Sequence, residues 1–188
     1  QREPKGMADA ILSAKELIEG EILVVNAEDI VDPKLYGQVL NGDASIVFAG
    51  LKVDKYFPVG YLEVDGDKVK GIVEKPGEGD EPSELVKLVV DYFKDGKKLI
   101  EYLEKAQSEK DDVYEKALNQ MISDGMDVKF SKYDGVWIPL KYPWQILDIL
   151  SHLLGNIEQH ISPGAKVSEK AIISGPVVIE EGARVFEG

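Results

Sequence analysis

Three short stretches of this 188-residue chain place side chains where they could act on a ligand. Glu74-Lys75-Pro76 ends the run Val69 to Pro76. A carboxylate there can accept two hydroxyl hydrogen bonds, and the neighbouring ammonium can balance a phosphate charge. The same pair also suits a strand end with a surface ion pair. Glu28 and Asp29 follow the apolar run Ile22-Leu23-Val24-Val25. Ligands of open α/β sheets collect at the C-terminal ends of strands, although an acidic residue there commonly caps a helix or faces solvent. Gln1 and Gly6 precede an apolar stripe. A Gln amide offers one donor and one acceptor to a ring edge, and glycine lets a ring approach the backbone closely. A helix with glycine at its start accounts for those residues equally well.

Composition narrows the partners. A formal net charge of −13 opposes nucleic-acid binding, which runs on clustered Lys and Arg. It leaves room for a small phosphate ligand, which needs only one or two local cations. There is no cysteine, so disulfides and cysteine metal sites are excluded. With no signal peptide, a cytoplasmic protein is expected. No apolar run approaches the roughly 18 residues needed to span a bilayer, so no membrane partner is expected.

The elements that must position these residues follow from periodicity. Asp9 to Glu19 carries Ala10, Ala14, Leu17 and Ile18 at helical spacing. Ile22 to Val25 reads as a buried strand of a parallel sheet. Pro33 to Leu40 is a second helix and Ser45 to Val53 a further strand. Tyr61 to Val64 and Val69 to Val73 flank Asp65-Gly66-Asp67-Lys68, the signature of a hairpin. Glu84 to Phe93 reads as a strand, Lys97 to Ala106 and Asp112 to Ser123 as amphipathic helices, and Asp127 to Pro139 as a strand region. Pro143 opens a largely apolar helix over Trp144 to Leu154. The alternation predicts a three-layer α/β sandwich.

After Gly155 the pattern changes. Written in sixes the tail is ISPGAK, VSEKAI, ISGPVV, IEEGAR, VFEG. Ile161, Val167, Ile173, Ile179 and Val185 hold the first place, and Ala165, Ala171, Val177 and Ala183 the fifth. That is the hexapeptide signature of a β-helix, in which each strip forms one side of a triangular coil.

Taken in order, five segments resemble the sugar-1-phosphate nucleotidylyltransferases. They are Gln1 to Ala10, Ile22 to Asp29, Val69 to Pro76, Glu84 to Val90 and Gly135 to Trp144. The resemblance implies an α/β, Rossmann-like nucleotidyltransferase domain, incomplete at its N-terminus, followed by the start of a left-handed parallel β-helix. The expected division is 1–155 and 156–188, with repeats from 161. It implies that Gln1 and Gly6 read the nucleobase, that Glu74 contacts sugar hydroxyls, and that Lys75 contacts the sugar phosphate and serves catalysis. Glu28 or Asp29 would hold Mg²⁺. The implied partners are a nucleoside triphosphate or nucleotide sugar and a sugar 1-phosphate, with a homo-oligomer through the β-helix.

Several positions depart from that pattern. Met7 stands for a Thr, Ala27-Glu28 for Gly-Asp, and Lys87 and Val89 for an Asn and a Gly on the sugar-facing strand. Pro139 replaces the second metal-binding Asp and offers only a carbonyl. The family's Gly-rich triphosphate loop would lie before Gln1, and the repeats stop mid-coil. The chain alone is therefore expected to be an inactive fragment truncated at both ends. A non-catalytic sugar-nucleotide-binding or assembly homologue is the alternative. His152 and His160 are expected to be structural or solvent-facing.

Overall fold

A computed structural model describes residue 1 and residues 3–187; Arg2 and Gly188, which belong to the first and last motifs above, lie outside the described residues. In chain order these form α1 (Met7–Leu12), β1 (Ile22–Val25), β2 (Ile30–Val31), α2 (Lys34–Leu40), β3 (Ile46–Lys52), β4 (Gly60–Asp65) and β5 (Lys68–Glu74). They continue as β6 (Leu85–Phe93), α3 (Gly96–Lys105), α4 (Val113–Ser123), β7 (Val128–Tyr133), β8 (Trp137–Ile138) and α5 (Gln145–Gly155). The short strands β9 (His160–Ile161), β10 (Lys166–Val167), β11 (Val178–Ile179) and β12 (Arg184–Val185) complete the set. The chain divides into two compact units, Gln1–Ala27 with Val31–Val136, and Glu28–Ile30 with Trp137–Gly188.

The first unit is built on a six-stranded sheet in the order β1-β6-β3-β7-β5-β4. β3 and β7 run parallel, whereas β6 is antiparallel to both β1 and β3. The alternation along β3 assigns its faces. Ile46 and Phe48 join a core with Leu62, Ile72, Leu99, Leu103, Leu118 and Met121, drawn from the sheet, α3 and α4. Val47 points the other way and crowds Gly42, just after α2, whose Leu35 and Val39 are fully buried. Helices thus cover both faces of a mixed sheet. Each fully buried Leu or Phe contributes about 1.5–3 kcal/mol by leaving water, so the α3–α4 face carries much of the unit's stability.

Two expectations need correction. β1 is not a buried strand of a parallel sheet: it is an edge strand, antiparallel to β6, with Val25 42% exposed. A continuous apolar run suits an edge as well as a centre, because short runs carry no strand direction. The first helix also stops early, at Leu12. The Ser13 hydroxyl donates to the Asp9 carbonyl at 2.7 Å, and the Ala14 N–H turns to Ile11 instead of continuing the ladder. A single 3₁₀ turn, Lys15–Leu17, follows and leaves Leu17 86% exposed.

β5 is held by a helix where it lacks a neighbouring strand. It pairs with β4 along its length but meets β7 only at Lys68 and Lys129. Beyond that point Asn119 of α4 supplies the missing ladder: the Ile72 N–H donates to its Oδ1 at 2.7 Å, and its Nδ2 donates to the Ile72 carbonyl at 2.8 Å. Asn119→Leu strands both groups and should cost about 1–3 kcal/mol. Hydrogen exchange at the Ile72 amide checks this, and unchanged protection there would contradict it.

In the second unit, α5 has no buried residue, and Ile146, Leu147, Leu150 and Leu153 are exposed. The tail forms two parallel ladders, β9 with β11 and β10 with β12, joining Ile161 to Ile179 and Val167 to Val185. Both pairs are 18 residues apart, three of the six-residue periods. Ile179 is buried, while Ile172 in the sixth place is 92% exposed. Between strips the chain turns through three-residue bonds, Ala165 N–H to Ser162 O, Ala171 to Ser168 and Ala183 to Glu180. The small fifth residue is the one that closes each of these turns. Ile173 belongs to no strand, since the residue 18 places earlier is Gly155, the last of α5.

Candidate substrate site

The hairpin β4–β5 positions Glu74 and Lys75. Gly60 pairs with Glu74 across its open end, and a Cβ at Gly60 would stand 3.0 Å from Glu74 Oε2, so the glycine makes room for the carboxylate. Lys75 follows with φ 47, the one described non-glycine residue in the left-handed region. That conformation costs roughly 1–2 kcal/mol outside glycine, and it is held by the Lys75 N–H donating to the Val59 carbonyl at 3.2 Å. The Tyr56 hydroxyl fastens the next residue, donating to the Pro76 carbonyl at 2.7 Å. Lys75 Nζ lies 3.3 Å from Glu74 Oε1, with the lysine well exposed and the glutamate mostly covered. An exposed ammonium beside a partly covered carboxylate is a pair able to bind an anion and a hydroxyl together.

Gly6 forms the rim of a cleft of about 470 Å³, whose other walls include Lys5, Met7, Lys110, Asp111, Tyr114 and Glu115. Its φ of 85 and the Asp111 carboxylate against its Cα both exclude a larger residue. Gln1 is close by, but its amide nitrogen donates to the Gly6 carbonyl at 2.8 Å and to Asp9 Oδ2 at 2.9 Å. Its donors are thus engaged by the loop that it was expected to complete for a base.

Beneath the cleft lies a constellation that sequence reasoning did not find. Lys87, on β6, is buried and forms a 2.6 Å ion pair with Asp91, and the Tyr114 hydroxyl donates to the same Asp91 Oδ2 at 2.8 Å. Lys87 Nζ sits 5.0 Å from the Phe48 ring centroid and 5.5 Å from that of Tyr114. Asp91 Oδ1 is buried without a partner among the described residues. Burial pushes the Asp91 carboxyl up, against the pull of Lys87 and Tyr114. The Tyr114 phenol is driven well up by burial and by Asp91, and so stays protonated. Lys87 therefore does not face a ligand where the resemblance puts a sugar-reading Asn. A Lys and an Asp four apart on a strand gave no signal, since that spacing pairs charges only on helices.

Glu115 of α4 is a further acidic residue of the cleft. It is partly buried on the cleft wall, and burial raises its carboxyl above the ordinary range. A backbone hydrogen bond at Glu115 and the charge of Lys87 oppose that rise, while Glu74 and Asp91 add to it.

Glu28, Asp29 and Pro139 belong to the second unit. Glu28 is exposed, and Asp29 Oδ2 accepts the Trp137 indole N–H at 3.1 Å. No group of three or more His, Asp or Glu able to hold a metal occurs among the described residues. With Asp29 engaged and Pro139 offering only a carbonyl, this donor set does not fit a two-carboxylate Mg²⁺ clamp. His160 is exposed and His152 partly so.

Known proteins supply the family. The chain is 30% identical to the bifunctional protein GlmU of Methanococcus aeolicus over 98% of its own length and 44% of that protein's. It is 31% identical to a bifunctional sugar-1-phosphate nucleotidylyltransferase/acetyltransferase of Sulfurisphaera tokodaii, over 98% of its length and 45% of that protein's. It thus spans less than half the length of these relatives. The fold is similar to that of a UDP-glucose pyrophosphorylase from Acinetobacter baumannii, with TM-score 0.68, 21% identity, and coverage of 81% of this chain and 57% of that one. Among the described residues no helix is long and apolar enough to cross a membrane. The sequence profile described as Nucleotidyl transferase matches residues 1–139, and the chain belongs to that family.

Proposed function

We propose that the chain is the sugar-phosphate-binding part of a sugar-1-phosphate nucleotidylyltransferase. In the parent reaction an oxygen of the sugar phosphate attacks the α-phosphorus of a nucleoside triphosphate in line, and pyrophosphate leaves. The observation that carries this reading is the Glu74–Lys75 pair, fixed at the end of β5 by Gly60 and by the Val59 carbonyl. Glu74 accepts sugar hydroxyls, while Lys75 holds the sugar phosphate and balances its charge as the new bond forms. The Gly6 cleft admits the base against the backbone. The domain division 1–155 and 156–188 belongs to this reading. So does a left-handed β-helix whose first coil is the pair of 18-residue ladders, the natural surface for a homo-oligomer.

Mg²⁺ comes from the family resemblance alone, and no step is assigned to it on these residues. Titration calorimetry with a nucleotide sugar tests the site. Binding is expected, and adding Mg²⁺ or a chelator should change the affinity less than about tenfold, or about 1.4 kcal/mol. Absence of binding would refute the function, whereas a strict need for Mg²⁺ would refute the reading of Asp29 and Pro139.

A second reading, a non-catalytic sugar-nucleotide-binding or assembly homologue, is favoured by the burial of Lys87 and the engagement of Asp29 by Trp137. The chain by itself is expected to give no turnover with a sugar 1-phosphate and mixed triphosphates under either reading. Binding without turnover once residues before Gln1 are supplied would favour the second.

A further inference from the structure

We infer that Tyr56 is the positioning residue for the phosphate-binding half of the Glu74–Lys75 pair, an inference that rests on the function proposed above. Its hydroxyl holds the Pro76 carbonyl and so keeps Lys75 in the left-handed turn that sets its ammonium beside Glu74. The two members of the pair are held differently. Glu74 is the last residue of β5 and is paired with Gly60 across the hairpin. Lys75 lies beyond the strand at φ 47, where a residue with a Cβ is strained. Such a conformation persists only where its surroundings over-determine it. Two bonds flank it here. The Lys75 N–H donates to the Val59 carbonyl at 3.2 Å, and the Tyr56 hydroxyl donates to the Pro76 carbonyl at 2.7 Å. The pyrrolidine ring fixes φ at Pro76, so a held Pro76 carbonyl also fixes the peptide plane that leaves Lys75. One bond before the strained residue and one after it oppose its relaxation.

Both partners come from one loop, residues 53–59 between β3 and β4, and that loop is itself tied down. At its start the Val53 N–H donates to the Glu84 carbonyl at 2.9 Å. Towards its end the Phe57 N–H donates to the Tyr61 hydroxyl at 2.9 Å, and the Val59 N–H donates to the Phe57 carbonyl at 2.9 Å. Tyr61 is buried in β4. The Tyr56 ring stacks on it, with centroids 6.3 Å apart and planes 2° from parallel, the offset arrangement that aromatic pairs favour. The Tyr56 ring is thus placed before any ligand arrives. Its hydroxyl bond is partly buried, so water does not freely replace it. Support runs from buried Tyr61 through Tyr56 to Pro76 and ends at Lys75. Without the hydroxyl, the strain at Lys75 acts against the 3.2 Å bond alone. The fraction of chains with the ammonium in place then falls, and the apparent affinity falls by the same factor. Glu74 keeps its own pairing with Gly60.

The test is a double-mutant cycle read by titration calorimetry with UDP-glucose, using the unaltered chain, Tyr56→Phe, Lys75→Met and the double variant. Phenylalanine keeps the stack and removes only the hydroxyl, and thermal unfolding confirms that each variant is folded. Where Lys75 is present, Tyr56→Phe should weaken binding about three- to tenfold, the range that loss of one neutral hydrogen bond allows. In the Lys75→Met background the same change should alter the affinity by less than about twofold, because no ammonium remains to be positioned. An equal loss in both backgrounds would mean that Tyr56 supports the site in general, and would overturn the inference. So would full affinity in Tyr56→Phe, and the function stands in either case. Failure of the unaltered chain to bind would overturn the function and this inference with it.

Discussion

Asp91→Ala should lower the unfolding free energy of the chain by about 3–5 kcal/mol, the range found when one member of a buried ion pair is removed. Lys87 would then stay as an ammonium without a counter-charge among Phe48 and Tyr114, and the Tyr114 hydroxyl would lose its acceptor. The pair itself adds little net stability, because the desolvation of two charges offsets their attraction. The double change Lys87→Met with Asp91→Leu is therefore expected to recover most of the loss. Urea unfolding of the two variants decides the matter. A loss under about 1 kcal/mol in Asp91→Ala would mean that water reaches Lys87, and no recovery in the double variant would mean that packing, not charge, is at stake.

The second large effect separates stability from binding at one residue. Lys75→Gly should weaken the binding of a sugar 1-phosphate by about 10–150-fold, the loss of a charge-assisted contact worth roughly 1.5–3 kcal/mol. Its unfolding free energy should stay level or rise by up to about 1 kcal/mol. Glycine relieves the left-handed strain at φ 47 but adds chain entropy to the unfolded state, and the exposed Glu74–Lys75 pair contributes little. Lys75→Met would lose the binding and keep the strain. A strained lysine that improves stability when removed marks a residue kept for its ligand. If Lys75→Gly binds normally, the pair is only a surface ion pair at the end of a strand.

Much of the fold was legible along the chain because it rests on local rules. The Asp65-Gly66 turn between alternating runs forms the hairpin, and Gly66 adopts the positive φ that such a turn requires. Val113, Ala117 and Met121 lie on one side of a real helix, and the six-residue period reappears as ladders 18 residues apart. Glu74 and Lys75 could be singled out for a related reason, since the hairpin that delivers them is itself local. The direction of β1 was not legible, because an apolar run four residues long is the same sequence in an edge strand, a central strand, parallel or antiparallel.

The charges under the cleft belong to tertiary structure alone. An extended strand holds residues four apart at about 13 Å, too far for Lys87 and Asp91 to be read as a pair. The register of β3 and β6 slips between Phe48 and Ala49, so Phe48 faces Asp91 while Ala49 faces Leu88. The bulge bends β6 and increases its twist, and the long lysine stem spans what remains. Asn119 is a similar case: nothing in its helix marks it as a substitute strand until β5 and β7 diverge. By itself, then, the sequence determined the elements, the repeat and the Glu74–Lys75 pair, all set by neighbours within a few residues. Which charges pair beneath the cleft was decided only when distant strands and helices came together and shut out water.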